Sequence, residues 1–276
     1  MSLTPKVWFV TGASRGLGRA WTEAALERGD LVAATARDLG MLDPVVTRYR
    51  DTAHLIQLDV TDRTSVDRAV AEAVAHFGRL DVVVNNAGYG LVGAVEETTD
   101  DQARALFDTN VFGALHVIQA VLPHLRAQGS GHILQVSSLS GVVTFPMMGL
   151  YQPSKWALEG MSETLAAEVA GFGIHVTIVE PGAFRTDFAG DSSQHTRADP
   201  AYVAVRAAQE GHAGGDHSGH PAASAELLFE VVDSPHPPLR LMMGRSGWPV
   251  TKAVYAARLA EWDVWAERGY AAGGPD

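Results

Sequence analysis

The chain has no cysteine in 276 residues, which removes a disulfide framework, a thiolate metal site and a cysteine nucleophile together. Lysine is almost missing as well, three standing against eighteen arginines. Positive charge is scarce overall, and the formal net charge is −11 at pH 7. Nucleic acid rewards a basic face, so no nucleic-acid partner is expected and any anionic ligand has to be captured locally. No apolar run approaches the roughly 20 residues that cross a bilayer, so no membrane partner is expected either. The first ten residues enter a strand-like run directly, without the charged and apolar regions of a signal peptide, and the expected location is cytoplasmic. What remains is 46% hydrophobic residues with a mean hydropathy near zero, the composition of a globular protein long enough to bury most of its surface.

Hydrophobic periodicity divides the chain into alternating strands and helices. Short apolar runs at 6–11, 31–36, 53–58, 82–84, 132–136 and 175–179 read as buried strands. Helical spacing covers 19–28, 39–49, 65–77 with Thr64 or Ser65 as cap, one long stretch at 99–127, and 151–170. Continuous apolar strands joined by helices imply an α/β fold: a doubly wound parallel sheet with helices on both faces, in a single domain spanning 1–276. After Pro181 the pattern changes. Residues 190–221 are rich in Gly, His, Ser and Asp and predict a surface flap with at most one helix near 200–210. A C-terminal extension follows, with a helix at 222–232, a strand at 239–243, a closing helix at 251–268 and a frayed tail. His212, His217 and His220 lie in the flap among glycines without a neighbouring ligand set, so they read as solvated and no metal site is expected.

Two local patterns carry chemistry. Tyr151 and Lys155 are four residues apart in Leu150-Tyr151-Gln152-Pro153-Ser154-Lys155, a spacing that places both on one face of a helix. A free phenol titrates at about 10, and a nearby ammonium is expected to lower it, making tyrosine a usable acid. Pro153 is tolerable only in a first helical turn, so the helix has to start close to Tyr151. The second pattern is Thr11-Gly12-Ala13-Ser14-Arg15-Gly16-Leu17-Gly18, set between the first strand and the first helix. There a glycine turn lets the backbone approach a phosphate while unpaired N–H groups at the helix start face the anion.

With these motifs the stretch 6–186 resembles the short-chain dehydrogenase/reductase family in its compact single-domain, Rossmann-like form. Gly12, Ser14, Arg15, Gly16, Leu17 and Gly18 resemble that family's cofactor motif, and Asp59-Val60 its adenine contact. Asn86, Ala87 and Gly88 are similar to its motif after the fourth strand, and Pro181, Gly182, Phe184 and Thr186 to its nicotinamide-side loop. The resemblance implies Tyr151 as proton donor, Lys155 on the nicotinamide ribose, Ser138 polarising the substrate oxygen, and Asn110 holding a water that links Lys155 to solvent. Ala36 stands where NAD-dependent relatives carry an acid. Arg37 follows it and Arg15 sits inside the turn, two guanidiniums able to grip a phosphate, so NADP is the expected cofactor, with Asp38 a competitor for Arg37.

Tyr89, Leu91, Phe145, Met147, Met148, Phe184 and Phe188 flank the motifs, and of these Phe145, Met147 and Phe184 are the expected substrate contacts. The implied activity is reduction of a bulky apolar ketone or aldehyde. An alcohol or sterol-type dehydrogenase running oxidatively is the alternative, and a catalytically silent nucleotide sensor a third reading. Helices 99–127 and 151–170 are those through which relatives commonly pair, so a homodimer or homotetramer is compatible with the resemblance.

Overall fold

A computed structural model describes residues 4–186, 188, 193–212, 219–245 and 247–274. Seven parallel strands form one sheet: β1 (Val7–Val10), β2 (Leu31–Ala36), β3 (Ala53–Gln57), β4 (Val82–Asn85), β6 (Gly131–Val136), β7 (Ile174–Pro181) and β9 (Arg240–Met243), in the order β3-β2-β1-β4-β6-β7-β9. The chain winds outward from β1 to β3 and then crosses back to β4, so the order reverses between β1 and β4. Such a reversal opens a crevice beyond the strands' carboxyl ends, where ligands of open α/β sheets bind.

Strand residues alternate across the sheet, and the apolar runs therefore serve two cores. Phe9 packs with Ile56, Val66, Val121 and Leu165 on the face covered by α3 (Arg63–Phe77), α5 (Gly113–Gln128) and α6 (Tyr151–Val169). Its neighbour Trp8 joins Trp21, Leu42 and Leu228 on the face covered by α1 (Gly16–Arg28), α2 (Asp43–Arg48) and α8 (Ser224–Asp233). Burying two indoles leaves two N–H groups to satisfy: Trp8 Nε1 donates to Asp30 at 2.8 Å and Trp21 Nε1 to the Ser224 hydroxyl at 2.8 Å.

Several expectations change in detail. The stretch 99–127 is not one regular helix: α4 (Asp100–Phe107) and α5 are joined by a π turn at Asp108–Phe112. This 29-residue run has the length and apolar content of a membrane span, with hydropathy 1.4, which the sequence reading did not anticipate. Here Val117, Ile118, Val121 and Leu125 pack in the core beside the sheet. Helix α3 is capped by Asp62, whose carboxylate accepts from Thr64 N at 2.9 Å, rather than by Thr64 or Ser65. The helix expected over 39–49 begins as a 3-10 turn at Leu39–Leu42. The flap contributes α7 (Val203–His212) and an unexpected strand, β8 (Ser193–His195), which pairs in parallel with β5 (Gly90–Val92). The closing helix α9 is longer than expected, Gly247–Ala271, so it runs into the first part of the expected frayed tail.

Candidate active site

The glycine turn is laced to the end of β4. Thr11 Oγ1 accepts from the main-chain N–H groups of Asn86 (2.9 Å) and Ala87 (3.0 Å), while Asn86 Nδ2 donates to the carbonyls of Thr11 and Gly12, both at 3.0 Å. Asn86 thus spends its amide on shaping the turn, so its place is behind the cofactor cradle. A Cβ on Gly18 would stand 2.4 Å from Asn86 Nδ2 and 2.5 Å from Gly12 O, so only glycine lets the helix start this close. Gly12 and Gly16 adopt φ of +66° and +59°, a region that side chains disfavour. Arg15 is the extended residue before α1, and no side chain caps the helix start, leaving its first N–H groups for an anion. Ser14 and Leu17 lie half-buried in the same turn.

The rim follows from β2 and β3. Ala36 ends β2 buried, and Arg37 is exposed beyond it. Asp38 does not pair with Arg37; its carboxylate accepts from Gly40 N at 2.9 Å, and among the described residues neither Arg15 nor Arg37 has an ion-pair partner. Asp59 accepts from the N–H and hydroxyl of Thr61 at 3.0 and 2.8 Å, and Val60 is buried against Gly113. Across the crevice, Pro181 ends β7, Gly182 N donates to Met243 O at 2.8 Å, and the loop continues to Thr186, which would lie 3.7 Å from a Cβ on Gly16. Three separate sequence motifs therefore meet around one groove. Its shape, all turn backbone and helix N-terminus with the Arg15 and Arg37 guanidiniums at the rim, fits a dinucleotide.

Beyond the groove, α6 begins at Tyr151 with Pro153 in its first turn, as its ring requires. Tyr151 is 4% and Lys155 5% exposed. Lys155 Nζ donates to Val136 O at 2.8 Å and lies 5.8 Å from the centre of the Tyr151 ring. Ser138, at the turn after β6, hydrogen-bonds the tyrosine hydroxyl and caps the following turn by accepting from Ser140 N at 3.1 Å. Burial pushes the Tyr151 phenol up to about 12, and Ser138 is what pulls it down; the lysine does not acidify it in the protein alone. Desolvation outweighs the expected electrostatic effect, since the ammonium donates to the Val136 carbonyl and stands 5.8 Å from the ring centre. Burial also lowers Lys155 to about 8, opposed by the charge of Glu159 one turn along.

Asn110 sits in the π turn, 2% exposed. Its Oδ1 accepts from Tyr89 N (3.1 Å), and its Nδ2 donates to Tyr89 O (3.0 Å) and the Ser154 hydroxyl (3.1 Å). It therefore clamps Gly88-Tyr89 against α6. A Cβ on Gly88 would lie 3.0 Å from Asn110 Oδ1 and 3.8 Å from Lys155 Nζ, so Gly88 keeps the space between them open. The π turn is what reaims this asparagine inward.

Of the expected substrate contacts, Phe145 and Met147 line a cleft of about 330 Å³ with Ala94, Gln152, Tyr202 and Val205. Met147 holds φ +64°, a left-handed conformation uncommon outside glycine, with its carbonyl accepting from Gly93 N at 2.8 Å. Phe184 does not join them. Its ring packs onto Gly219 and Gly244 at the edge of the second core, which its intermediate burial in sequence pattern could not reveal. Phe188 takes the place beside the reacting group instead, its ring centre 5.3 Å from that of Tyr151.

Sequence reasoning also missed Glu97. This carboxylate, 1% exposed, accepts from Ala94 N (2.8 Å), Asp199 N (2.8 Å), the Thr196 hydroxyl (3.0 Å) and Arg206. It ties the flap to the loop after β5, and no local pattern marks it because three of its four partners lie about a hundred residues on. His217 falls outside the described residues, as does the side chain of His212, and no group of three metal-ligating side chains occurs among the described residues.

With Tyr151 and Lys155 buried and Ser138 half-buried next to the glycine-turn groove, the arrangement suits nucleotide-dependent oxidoreduction of CH–OH or C=O groups. The short chain dehydrogenase pattern matches residues 6–197, and the chain belongs to that family. It is 44% identical over 260 residues to the oxidoreductase BOA17 of Botryotinia fuckeliana, covering 93% of each chain, and 31% identical to a 3-ketodihydrosphingosine reductase of Bacteroides thetaiotaomicron, covering 92% of each. A short-chain dehydrogenase from Streptomyces avermitilis superposes with a TM-score of 0.92 at 42% identity, over 99% of this chain and 100% of that one. Similar folds from Burkholderia phymatum (TM-score 0.80, 25% identity, 96% of each chain) and Burkholderia cenocepacia (0.76, 26%, covering 95% of this chain and 98% of that one) were solved with NAD and NADP respectively.

Proposed function

We propose that the protein is an NADPH-dependent carbonyl reductase whose substrate is a bulky, apolar ketone or aldehyde. The observation that carries this reading is the placement of Tyr151 at the head of α6, buried, with Lys155 one turn on and Ser138 beside it at the mouth of the glycine-turn groove, where burial keeps the phenol protonated at neutral pH. Such a phenol is loaded as a donor. Reduction consumes that proton at the nascent alkoxide, whereas oxidation would need a phenolate to be standing ready.

The nicotinamide cofactor supplies the hydride when bound. Gly12, Gly16 and Gly18 would hold its pyrophosphate, Asp59 and Val60 its adenine side, Lys155 its ribose and the 182–186 loop its nicotinamide side. Ala36 brings no negative charge to the rim, and Arg15 and Arg37 are without ion-pair partners among the described residues, which favours a 2′-phosphate. On the protein's side, Ser138 orients the substrate oxygen toward Tyr151 Oη, and Tyr151 delivers the proton. Lys155, cationic below about pH 8, stabilises the phenolate left behind. Asn110 acts through Gly88-Tyr89, fixing the wall next to the ammonium. The cleft at Phe145 and Met147, together with Phe188 over Tyr151, suits an apolar substrate body, and a relative named as a ketone reductase agrees with that polarity of reaction.

The test is a screen of aldehydes and ketones of graded size for NADPH consumption, with NADH as control, alongside binding titrations of both cofactors. Turnover rising with apolar bulk and tighter NADPH binding are expected. Tighter binding of NADH overturns the cofactor assignment, and turnover confined to alcohol oxidation overturns the direction.

A further inference from the structure

Helix α9 is the one element whose surface the fold leaves unexplained. It attaches at its start, where Gly247 sits against Met242 and Leu139 and Arg258 stacks 5.1 Å over the Trp156 ring of α6. Only Gly247 and Thr251 are buried. Trp248, Tyr255, Leu259, Trp262 and Tyr270 are 63, 39, 56, 63 and 74% exposed. At about 100° per residue these five fall within a stripe roughly 80° wide and about 33 Å long, which Lys252 shares, while the exposed Val264 and Trp265 lie outside it. A monomer rarely leaves so much contiguous aromatic surface in water.

Charge on the helix indicates what covers the stripe. The first half, 247–258, carries Lys252 and Arg258 and no acid, while the second half, 259–271, carries Glu261, Asp263 and Glu267 against Arg268. An antiparallel partner helix of the same sequence, with Leu259 near the two-fold axis, sets each basic half against an acidic half and Lys252 opposite Glu267. Aromatic side chains at about 150–250 Å² each make the stripe, with the exposed Trp265 beside it, worth on the order of 600 Å² per copy. That is most of the roughly 800 Å² per partner in a stable interface. A lipid surface fits poorly: interfacial helices carry a basic polar face, whereas this one is neutral on a chain of net charge −11.

We propose that α9 is a dimerisation arm that pairs antiparallel with α9 of a second copy. This surface is separate from the apolar groove of about 410 Å³ between α5 and α6, lined by Leu115, Ile118, Leu122 and Met161, through which relatives are expected to pair. Light scattering coupled to gel filtration, at micromolar concentration of the full chain, tests it. Leu259→Glu and Trp262→Glu should each halve the particle mass, with the far-ultraviolet circular dichroism spectrum held because both side chains are exposed in the single chain. Lys252→Glu should weaken association, and adding Glu267→Lys to the same chain should restore it. A monomeric wild type, an unchanged mass in both glutamate variants, failure of the charge exchange to rescue, or co-sedimentation with phosphatidylserine vesicles that Trp262→Glu abolishes would each overturn the proposal.

Discussion

The floor of the cleft and its cover are held together by different means. The floor joins the glycine turn, the end of β4 and the start of α6 through main-chain groups and buried amides: Thr11, Asn86 and Asn110 each bond backbone within a few ångströms. The cover, made of β8, Phe188 and residues 196–206, is joined by the short main-chain pairing of β8 with β5 and by bonds that converge on the Glu97 carboxylate, with Tyr202 reaching Glu96 at 2.6 Å beside them. Main-chain lacing tolerates no displacement without breaking several bonds at once, so the floor is suited to hold reacting groups. A cover held by one three-residue strand pair and one carboxylate can differ in shape and composition while the floor stays the same, which is the arrangement expected where chemistry is constant and substrates vary.

That contrast can be broken at the floor with the largest effect. Tyr151→Phe keeps the ring and removes the proton, and is expected to cut kcat more than tenfold, over about 1.4 kcal/mol, with NADPH affinity nearly intact. Retention of more than a tenth of kcat would place the proton donor elsewhere. Gly18→Ala comes next, since its methyl group has no room beside Asn86 Nδ2. Overpacking of this kind costs about 1–3 kcal/mol, to be read as a lower thermal midpoint together with lost NADPH binding; an unchanged midpoint would mean that the turn yields.

At the cover, Glu97→Gln is expected to raise KM several-fold, with a smaller change in kcat and a smaller change in thermal midpoint than Gly18→Ala. A kcat loss matching that of Tyr151→Phe would erase the distinction between floor and cover. Arg206, followed by the Asp199 amide, lowers the Glu97 carboxyl from 4.5 to about 2. Its anionic form is therefore kept throughout the neutral range, and the anchoring is present above about 4.5 and lost only as pH falls toward 2.

The smallest effect sharpens the electrostatics behind the floor. Glu159 lies one turn beyond Lys155, with Arg240 at 3.4 Å, Glu163 on its own helix and Glu180 of β7 nearby, the last pushed up to about 7 by burial and by Glu159. Burial depresses Lys155, so its cation is present below about pH 8 and lost above it, and Glu159 opposes that loss. Removing the charge in Glu159→Gln should move the alkaline limb of kcat/KM to lower pH. A limb that stays in place or rises would show that Lys155 does not govern it.

Much of this was legible in the sequence, for a physical reason that differs by region. The seven-stranded sheet's strands and their parallel direction needed only period and length, because a buried parallel strand is apolar throughout and its crossover is helical, whereas the strand order came from the packed structure. The glycine turn, Tyr151, Lys155 and the Pro153 helix start were readable because each is a contact within eight residues, enforced by backbone sterics. Distances between side chains far apart in sequence were not. The bond of Lys155 to Val136 O, the rise of Tyr151 to about 12, the packing of Phe184 away from the cleft and of Phe188 into it, and the convergence on Glu97 depend on desolvation and on which elements touch. Residue types and spacing thus determined the fold and the chemistry on offer; only the packed structure decided which groups are dry, which are paired and which stand free, because burial is a property of neighbours rather than of the chain.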